Sequence, residues 1–250
     1  MRRLVVAIVG PTASGKSRVA LELAPNWAGE IVNADSRQIY RGLDIGTAKP
    51  SAAERRRVPH HLYDICGPEE TYSLARYGVD ARAAFEDIWS RGGVPLLVGG
   101  TGQYVWSLLE GWTVPAVPPN AELRRRLEDE AAREGAAALH SRLEAVDPVA
   151  AARIDARNVR RVIRALEVFE ATGRTISSVQ AKRDPGFDSR VFGLRVERDE
   201  LHRRIEERTG EMFAGGLVAE VRDLLDAGVA ASSPSMSSIG YVEVAKYLSG

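Results

Sequence analysis

Residues 10–17, Gly-Pro-Thr-Ala-Ser-Gly-Lys-Ser, fit the pattern G-x-x-x-x-G-K-[ST], and no other stretch restricts the possible fold so tightly. The pattern requires a strand before it and a helix after it, and both are legible. Leu4–Val9 is a short apolar, β-branched run of the kind buried in a parallel sheet. Beyond the loop, Val19, Ala20, Leu23 and Ala24 recur at helical spacing. Gly10 and Gly15 let the backbone curl so that N–H groups converge where the helix N-terminus adds partial positive charge. Gly10, Pro11, Thr12, Ala13, Ser14, Gly15, Lys16 and Ser17 are therefore the candidate phosphate cradle. Lys16 would reach the outer phosphates, and the Ser17 hydroxyl would ligate Mg²⁺, the expected cofactor.

The rest of the chain alternates between the two periodicities. Gly29–Asp35 reads as a second strand ending in an acid, and His61–Ile65 as a weaker third. Ser73–Trp89 is helical, with Tyr77, Ala81, Ala84, Phe85 and Ile88 on one face. Val94–Val98 is an apolar strand running into Gly99-Gly100-Thr101-Gly102. Such alternation implies a parallel sheet with right-handed crossovers. The texture changes at Val114–Asn120, VPAVPPN, which can continue neither a helix nor a central strand. Ala121 to Lys182 reads as helical and rich in alanine and arginine, and Arg183–Ser189, RDPGFDS, closes that segment. Val191–Val196 resumes the β pattern, and Asp199–Leu225 reads as amphipathic helix. The expectation is an α/β fold, a parallel sheet flanked by helices with an all-helical insertion. Residues 1–115 form the first part of the core, 116–184 the insertion and 185–250 the second part.

Lysine and arginine total 34 and aspartate and glutamate 34, so only a local patch can argue for a nucleic-acid partner. One exists. At about 100° per residue, Arg157, Arg160, Arg161 and Arg164 fall within a roughly 100° arc of a helix, with Val159, Val162, Ile163 and Leu166 opposite. Residues 151–183 carry eight Arg and Lys against three Asp and Glu. Cys66 is alone, which excludes an intramolecular disulfide and a cysteine-cluster metal site. His60 and His61 are adjacent on a strand and point to opposite faces, so they read as structural. No apolar run approaches membrane-spanning length and no cleavage signal precedes the first strand, so a cytoplasmic protein without membrane association is expected.

An acid is needed beside the loop. The strand VPLLVGGTG ends in glycines and supplies none, whereas Asp35 ends the second strand. Ligands of parallel sheets bind beyond the carboxyl ends of the strands, so Asp35, Thr101 and the loop should share one cleft. There Asp35 could ligate metal or act as general base. The competing reading makes it a helix N-cap, with Gln38 three residues on in capping-box style.

GPTASGKS (10–17), NADSRQIYRGLDIGTAKP (33–50), PHHLYD (59–64), LVGGTGQY (97–104), NVRRVIRALEVFEATG (158–173) and IGYVEV (239–244) follow in order. Together they closely resemble the tRNA dimethylallyltransferase, or tRNA isopentenyltransferase, family. The resemblance spans nearly the whole chain, although family members usually continue beyond the last motif for a few dozen residues rich in basic and aromatic side chains. It implies a P-loop NTPase-like fold and transfer of a dimethylallyl group from dimethylallyl diphosphate to N6 of the adenosine 3′ of the anticodon. The loop would then grip the diphosphate of the donor, with Asp35 as base and Thr101 near the substrates. Arg204 and Arg208, at i and i+4, are both candidates for a further donor contact. Asp35, Ser36, Arg37, Gln38 and Thr101 match the segment at the tRNA channel mouth. Arg124, Arg160, Arg161 and Arg164 are the insertion's candidate contacts to the anticodon stem-loop. A monomer is expected. The rival readings are a P-loop nucleotide or small-molecule kinase, which would bind ATP at the same loop, and a non-catalytic nucleotide-dependent RNA-binding switch.

Overall fold

In the computed structural model, residues 3–113, 115 and 117–250 are described. The first two residues therefore fall outside it, as do Val114 and Ala116 of the proline-rich stretch. Five strands, β1 (Leu4–Val9), β2 (Gly29–Asn33), β3 (His60–His61), β4 (Val94–Gly99) and β5 (Asp188–Gly193), form one sheet in the order β3-β2-β4-β1-β5. Every pairing is parallel. The chain clusters into two compact units, Met1–Leu109 with Pro185–Gly250, and Glu110–Asp184.

The sheet is covered on both faces, as an all-parallel sheet must be. Val5, Ala7, Val32 and Leu97 face α3 (Leu74–Ser90) and α4 (Gly102–Leu109), meeting the fully buried Tyr77, Phe85 and Ile88. Val6, Ile8, Ile31, Leu96 and Val98 face the other way, onto Ala20 and Leu21 of α1 (Lys16–Leu23) and Val58 beyond α2 (Ala52–Arg57). The period-two alternation of β1 thus splits its side chains between two cores. Each large aliphatic or aromatic side chain so buried contributes about 1.5–3 kcal/mol.

After β5 the chain forms α10 (Arg198–Ala214), α11 (Leu217–Asp226) and α12 (Tyr241–Ser249). The last two helices and the short 3₁₀ turn between them pack Leu217, Val221, Met236, Tyr241 and Val244 against Ile39, Tyr40 and Leu43 from the loop after β2. The second unit contains α5 (Ala121–Glu134), α6 (Ala136–Val146), α7 (Pro148–Ala151), α8 (Val159–Thr172) and α9 (Ile176–Val179) around its own core of Leu127, Leu139, Leu143, Val162 and Leu166. Asn120 and Asn158 cap α5 and α8, accepting from Leu123 N and Arg161 N, and Gly173 ends α8 at φ 66°.

Four expectations are displaced. The third strand lies at His60–His61 rather than His61–Ile65, because Leu62 and Asp64 adopt φ of 63° and 57°, which no strand continues. β5 begins three residues before Val191, and the expected helix over Asp199–Leu225 is two helices. Gly215 and Gly216 divide it, Gly216 at φ 100°. The helical unit begins at Glu110, six residues ahead of the boundary read from the prolines.

Candidate active site

Three strands deliver the site to one end of the sheet, beyond their carboxyl termini. β1 runs into the glycine loop, β2 into Asp35 and β4 into Thr101. The pairing between β2 and β4 continues past the strands, through Ala34 N to Val98 O at 2.8 Å and Thr101 N to Ala34 O at 3.1 Å. A Cβ built on Gly99 would lie 2.2 Å from the carbonyl carbon and oxygen of Ala34. Only glycine allows that approach of the two backbones.

The loop has the geometry of an anion cradle. Gly15 stands at φ 89°, ψ 14°, a left-handed conformation that Gly adopts without strain, and Ala13 is also left-handed at φ 61°. No side chain caps α1 among the described residues, and its first turn holds no acid. The first amides of the helix have no intrahelical acceptor and remain available to a ligand. Ser14 Oγ is buried without a hydrogen-bond partner, while Gly10 has no space for a Cβ, which would meet Ser14 Oγ at 2.9 Å and Leu194 O at 3.0 Å. An orphaned buried hydroxyl inside a curl of glycine backbone suits a group rich in acceptor oxygens. Lys16 Nζ donates to Pro11 O at 2.7 Å, laying its ammonium across the loop, and Ser17 is exposed at the first turn.

Asp35 is held from both sides. Its own N–H donates to the buried Asn33 Oδ1 at 2.9 Å, and Asn33 Nδ2 donates back to Asp35 O at 3.1 Å and to Leu62 O at 3.0 Å. Tyr77 Oη in turn donates to Asn33 O. Asp35 Oδ1 accepts from Arg37 N at 2.8 Å, closing a local Asx turn. The helix-cap reading of Asp35 is thereby corrected: bends and turns follow it, and the Gln38 amide donates forward to Thr47 O at 2.8 Å and Ala48 O at 3.0 Å. Oδ2 of Asp35 has no hydrogen-bond partner among the described residues. Thr101 Oγ1 accepts from Ser36 N at 3.0 Å and donates to Ser36 Oγ at 3.3 Å, joining the two strand ends. Arg37 is turned to Pro234 O and Ser237 Oγ, at 3.0 and 3.1 Å.

A cleft of about 690 Å³ opens between the loop and α10, lined among others by Lys16, Ser17, Arg18, Arg204 and Arg208. Burial holds the Lys16 ammonium below the usual lysine range; the Asp35 carboxylate opposes this shift and Arg208 adds to it. Burial likewise lowers the Arg208 guanidinium, again opposed by Asp35 and by Glu211. Lysine, arginine and aspartate therefore share one field. The two α10 arginines separate here. Arg204 Nε is paired with Glu200 Oε1 at 2.7 Å, whereas Arg208 Nε is buried without a partner and its Nη2 lies 3.5 Å from Thr47 O. Arg208 is the one with donors to spare.

In the helical unit the four expected contacts also divide. Arg160 and Arg161 are exposed and make no ion pair among the described residues. Arg124 and Arg164 are both committed to Glu167, a reassignment from the expected open basic face. The Glu167 side chain is 1% exposed, and a carboxylate so buried needs cations at hand. Arg124 grips it through two bonds of 2.8 Å, Arg164 through one of 2.5 Å, and Asn120 N donates at 2.8 Å. Arg164 reaches further to Pro115 O and Val117 O. Arg157 pairs with Asp155. Sequence reading did not single out Glu167, Asn33, Glu220 or Tyr241 as working residues; their partners lie as far as 176 positions away, beyond any periodic signal.

His60 Nδ1 pairs with Val58 O and His61 Nε2 with Glu30, and no cluster of three or more metal-ligating side chains occurs among the described residues. No helix among them is long and apolar enough to cross a membrane.

The chain matches the family described as IPP transferase over residues 38–250, and that described as isopentenyl transferase over residues 3–62. It is 52% identical over 249 residues to a tRNA dimethylallyltransferase of Thermomicrobium roseum, covering 100% of this chain and 76% of that protein. A Chloroflexus aggregans protein of the same name is 55% identical over 246 residues, covering 98% and 83%. Among solved structures, the full-length tRNA isopentenylpyrophosphate transferase of Bacillus halodurans superposes with a TM-score of 0.70 at 41% identity, covering 100% of this chain and 78% of that one. A eukaryotic dimethylallyltransferase, captured acting on tRNA, gives 0.78 at 26% identity, covering 99% and 63%. With its parallel, P-loop NTPase-like sheet and these similarities along its whole length, the chain belongs to the IPP transferase family, the tRNA dimethylallyltransferases.

Proposed function

We propose that the chain transfers a dimethylallyl group from dimethylallyl diphosphate to N6 of the adenosine 3′-adjacent to the anticodon of tRNA, releasing diphosphate. The observation that carries this reading is the cleft in which Lys16, Ser17 and Arg208 line the glycine cradle, with Asp35 at the neighbouring strand end acting on both cations. Two cations suit a departing diphosphate, and a carboxylate with a spare oxygen suits a nucleophile that must lose a proton.

The allylic carbon ionises readily, so the barrier lies in charge growing on the leaving oxygen. The cradle amides, Lys16 and Arg208 act where that charge develops. Mg²⁺ would be held through the Ser17 hydroxyl, a hard oxygen ligand exposed at the first turn of α1. When bound, it would supply further neutralisation of the leaving group. As the carbon–oxygen bond breaks and the carbon–N6 bond forms, Asp35 Oδ2 takes the N6 proton, a contribution of about 10²–10⁴ in rate. Asn33 and the Asx turn hold Asp35 for this task, and Thr101 fixes Ser36 beside it.

A base stacked in an anticodon loop must be drawn out before it can react. Ser36 and Gln38 flank Asp35 and are placed in sequence to meet it. Of the four expected contacts, Arg160 and Arg161 are the two left to grip phosphates, and Arg124 and Arg164 keep the entry segment in place. The enzyme would act as a cytoplasmic monomer.

The end of β4 argues against the kinase reading. Many P-loop phosphoryl-transfer enzymes carry a Mg²⁺-holding acid at a strand end, whereas β4 runs into Gly99-Gly100-Thr101-Gly102, without a carboxylate. The test incubates the protein with unmodified tRNA, Mg²⁺ and labelled dimethylallyl diphosphate, with labelled ATP in a parallel tube. Label entering tRNA is expected; ADP release without dimethylallyl transfer would overturn the proposal.

A further inference from the structure

The loop between Tyr40 and Pro50 has two chemically different sides. Its amides converge on one carboxylate from α11. Glu220 Oε2 accepts from Asp44 N at 3.0 Å and Ile45 N at 2.8 Å, and Oε1 accepts from Gly46 N at 3.3 Å and Tyr241 Oη at 2.5 Å. Three successive amides round one anion form a nest, a strongly directional arrangement. The backbone lies flat on the fully buried ring of Tyr241: a Cβ on Gly46 would meet that ring at 2.4 Å and Leu217 at 2.8 Å. The carbonyls of the same loop point to the reaction cleft. Thr47 O accepts from Gln38 Nε2 at 2.8 Å and lies 3.5 Å from Arg208 Nη2, while Ala48 O takes a second bond from Gln38 at 3.0 Å. Lys49 pins the end of the loop, donating to Tyr40 O, Asp44 and Asp64 with its side chain 2% exposed.

We propose that Glu220, oriented by Tyr241, is a positioning residue for Arg208 and Gln38. By fixing the amides at the back of the 43–48 loop it fixes the carbonyls at the front, and these aim the diphosphate-binding guanidinium and the base-reading amide. Among the described residues Thr47 O is the one hydrogen-bond acceptor of Arg208 Nη2, whose neighbouring Nε is unpartnered. A displaced loop therefore leaves the Arg208 side chain without its guide. Glu220 does not line the cleft, and its effect travels only through the loop. This inference rests on the diphosphate reading of the cleft.

A double-mutant cycle tests it in the full chain. Binding of the unreactive analogue dimethylallyl S-thiolodiphosphate is measured by calorimetry for Glu220→Gln, Arg208→Ala and the pair, with melting curves to verify folding. Arg208→Ala is expected to weaken binding roughly tenfold or more, as loss of charge-assisted hydrogen bonds does. Glu220→Gln keeps the size of the side chain but exchanges one acceptor oxygen for an NH₂. It should weaken binding roughly three- to tenfold in the native background and no more than about twofold beside Arg208→Ala. Tyr241→Phe, which leaves the carboxylate one bond short, should show the same non-additivity and carries the test if Glu220→Gln fails to fold. If Arg208→Ala weakens binding and the second substitution adds in full, or if Glu220→Gln and Tyr241→Phe change nothing, the positioning role is overturned while the cleft assignment stands. If Arg208→Ala itself leaves analogue affinity intact, the diphosphate assignment of Arg208 falls and takes this inference with it.

Discussion

Asp35→Asn separates proton transfer from everything else that Asp35 does. The amide retains an oxygen to accept from Arg37 N, so the Asx turn survives and the loss of about 1 kcal/mol that an alanine would bring is avoided. What disappears is a basic oxygen, and turnover should fall about 10²–10⁴-fold. The electrostatic consequence runs the other way. Asp35 is the anion that offsets both Lys16 and Arg208, and removing it leaves two cations facing the diphosphate. One unit charge at about one Debye length changes such an interaction by roughly 1.7 kcal/mol at an effective dielectric near 20, and screening brings this to about 0.6 kcal/mol. Donor binding should therefore tighten by about threefold while kcat collapses. Single-turnover transfer of labelled dimethylallyl to tRNA, with calorimetry of the thiolo analogue, measures both terms. A fall in kcat of less than tenfold would refute the base assignment; weaker donor binding would refute the shared field.

Lys16→Ala should raise the KM for donor and also lower kcat, because leaving-group charge peaks in the transition state, and steady-state kinetics will show both. In the native enzyme, burial places the Lys16 pKa below its ordinary 10.5, so the ammonium is lost as pH rises through that lowered value and donor KM should begin to climb below pH 10.5. Glu167→Ala should destabilise the helical unit by about 3 kcal/mol in urea unfolding, the low end for breaking a buried pair, since Arg124 and Arg164 are 37% and 29% exposed and can rehydrate. The Glu167 carboxyl titrates below its usual 4.5, its arginine and amide donors outweighing the larger opposing effect of burial. This stabilisation is thus complete above pH 4.5 and lost as pH falls through the lowered value. Arg160→Ala with Arg161→Ala should reduce the slope of log tRNA affinity against log salt by up to about two, read from filter binding at several ionic strengths.

The parts of the fold legible from residues alone are those where one physical signal dominates. β1 and β4 are continuous apolar runs because both faces of the sheet are covered, and their limits are read to within a residue. β5 is an edge strand, with Val191 42% and Phe192 51% exposed, so burial does not write its limits into the sequence and the reading slips by three residues. The amphipathic run after residue 198 has the right period, but a period alone cannot register the left-handed turn at Gly216. In the site, the cradle and Asp35 are local features and could be read. Choosing between Arg204 and Arg208 required knowing that Glu200 occupies one and that a buried loop carbonyl stands beside the other. Periodicity put Arg164 on a basic stripe, but the anion that claims it lies on the same helix at Glu167, and Arg124 joins from α5.

The contact of Gly99 with Ala34 also limits what descendants of this scaffold can become. Evolution usually tries new chemistry one letter at a time, and at this strand end no letter other than glycine can be written without parting two backbones. Any larger residue there would spread the β2–β4 seam and carry Asp35 and Thr101, which hang from the same two strand ends, out of step. The seam thus acts as a keel, and novelty in this crevice has to enter from neighbouring positions such as Gly100, where a Cβ would meet nothing nearer than 3.6 Å.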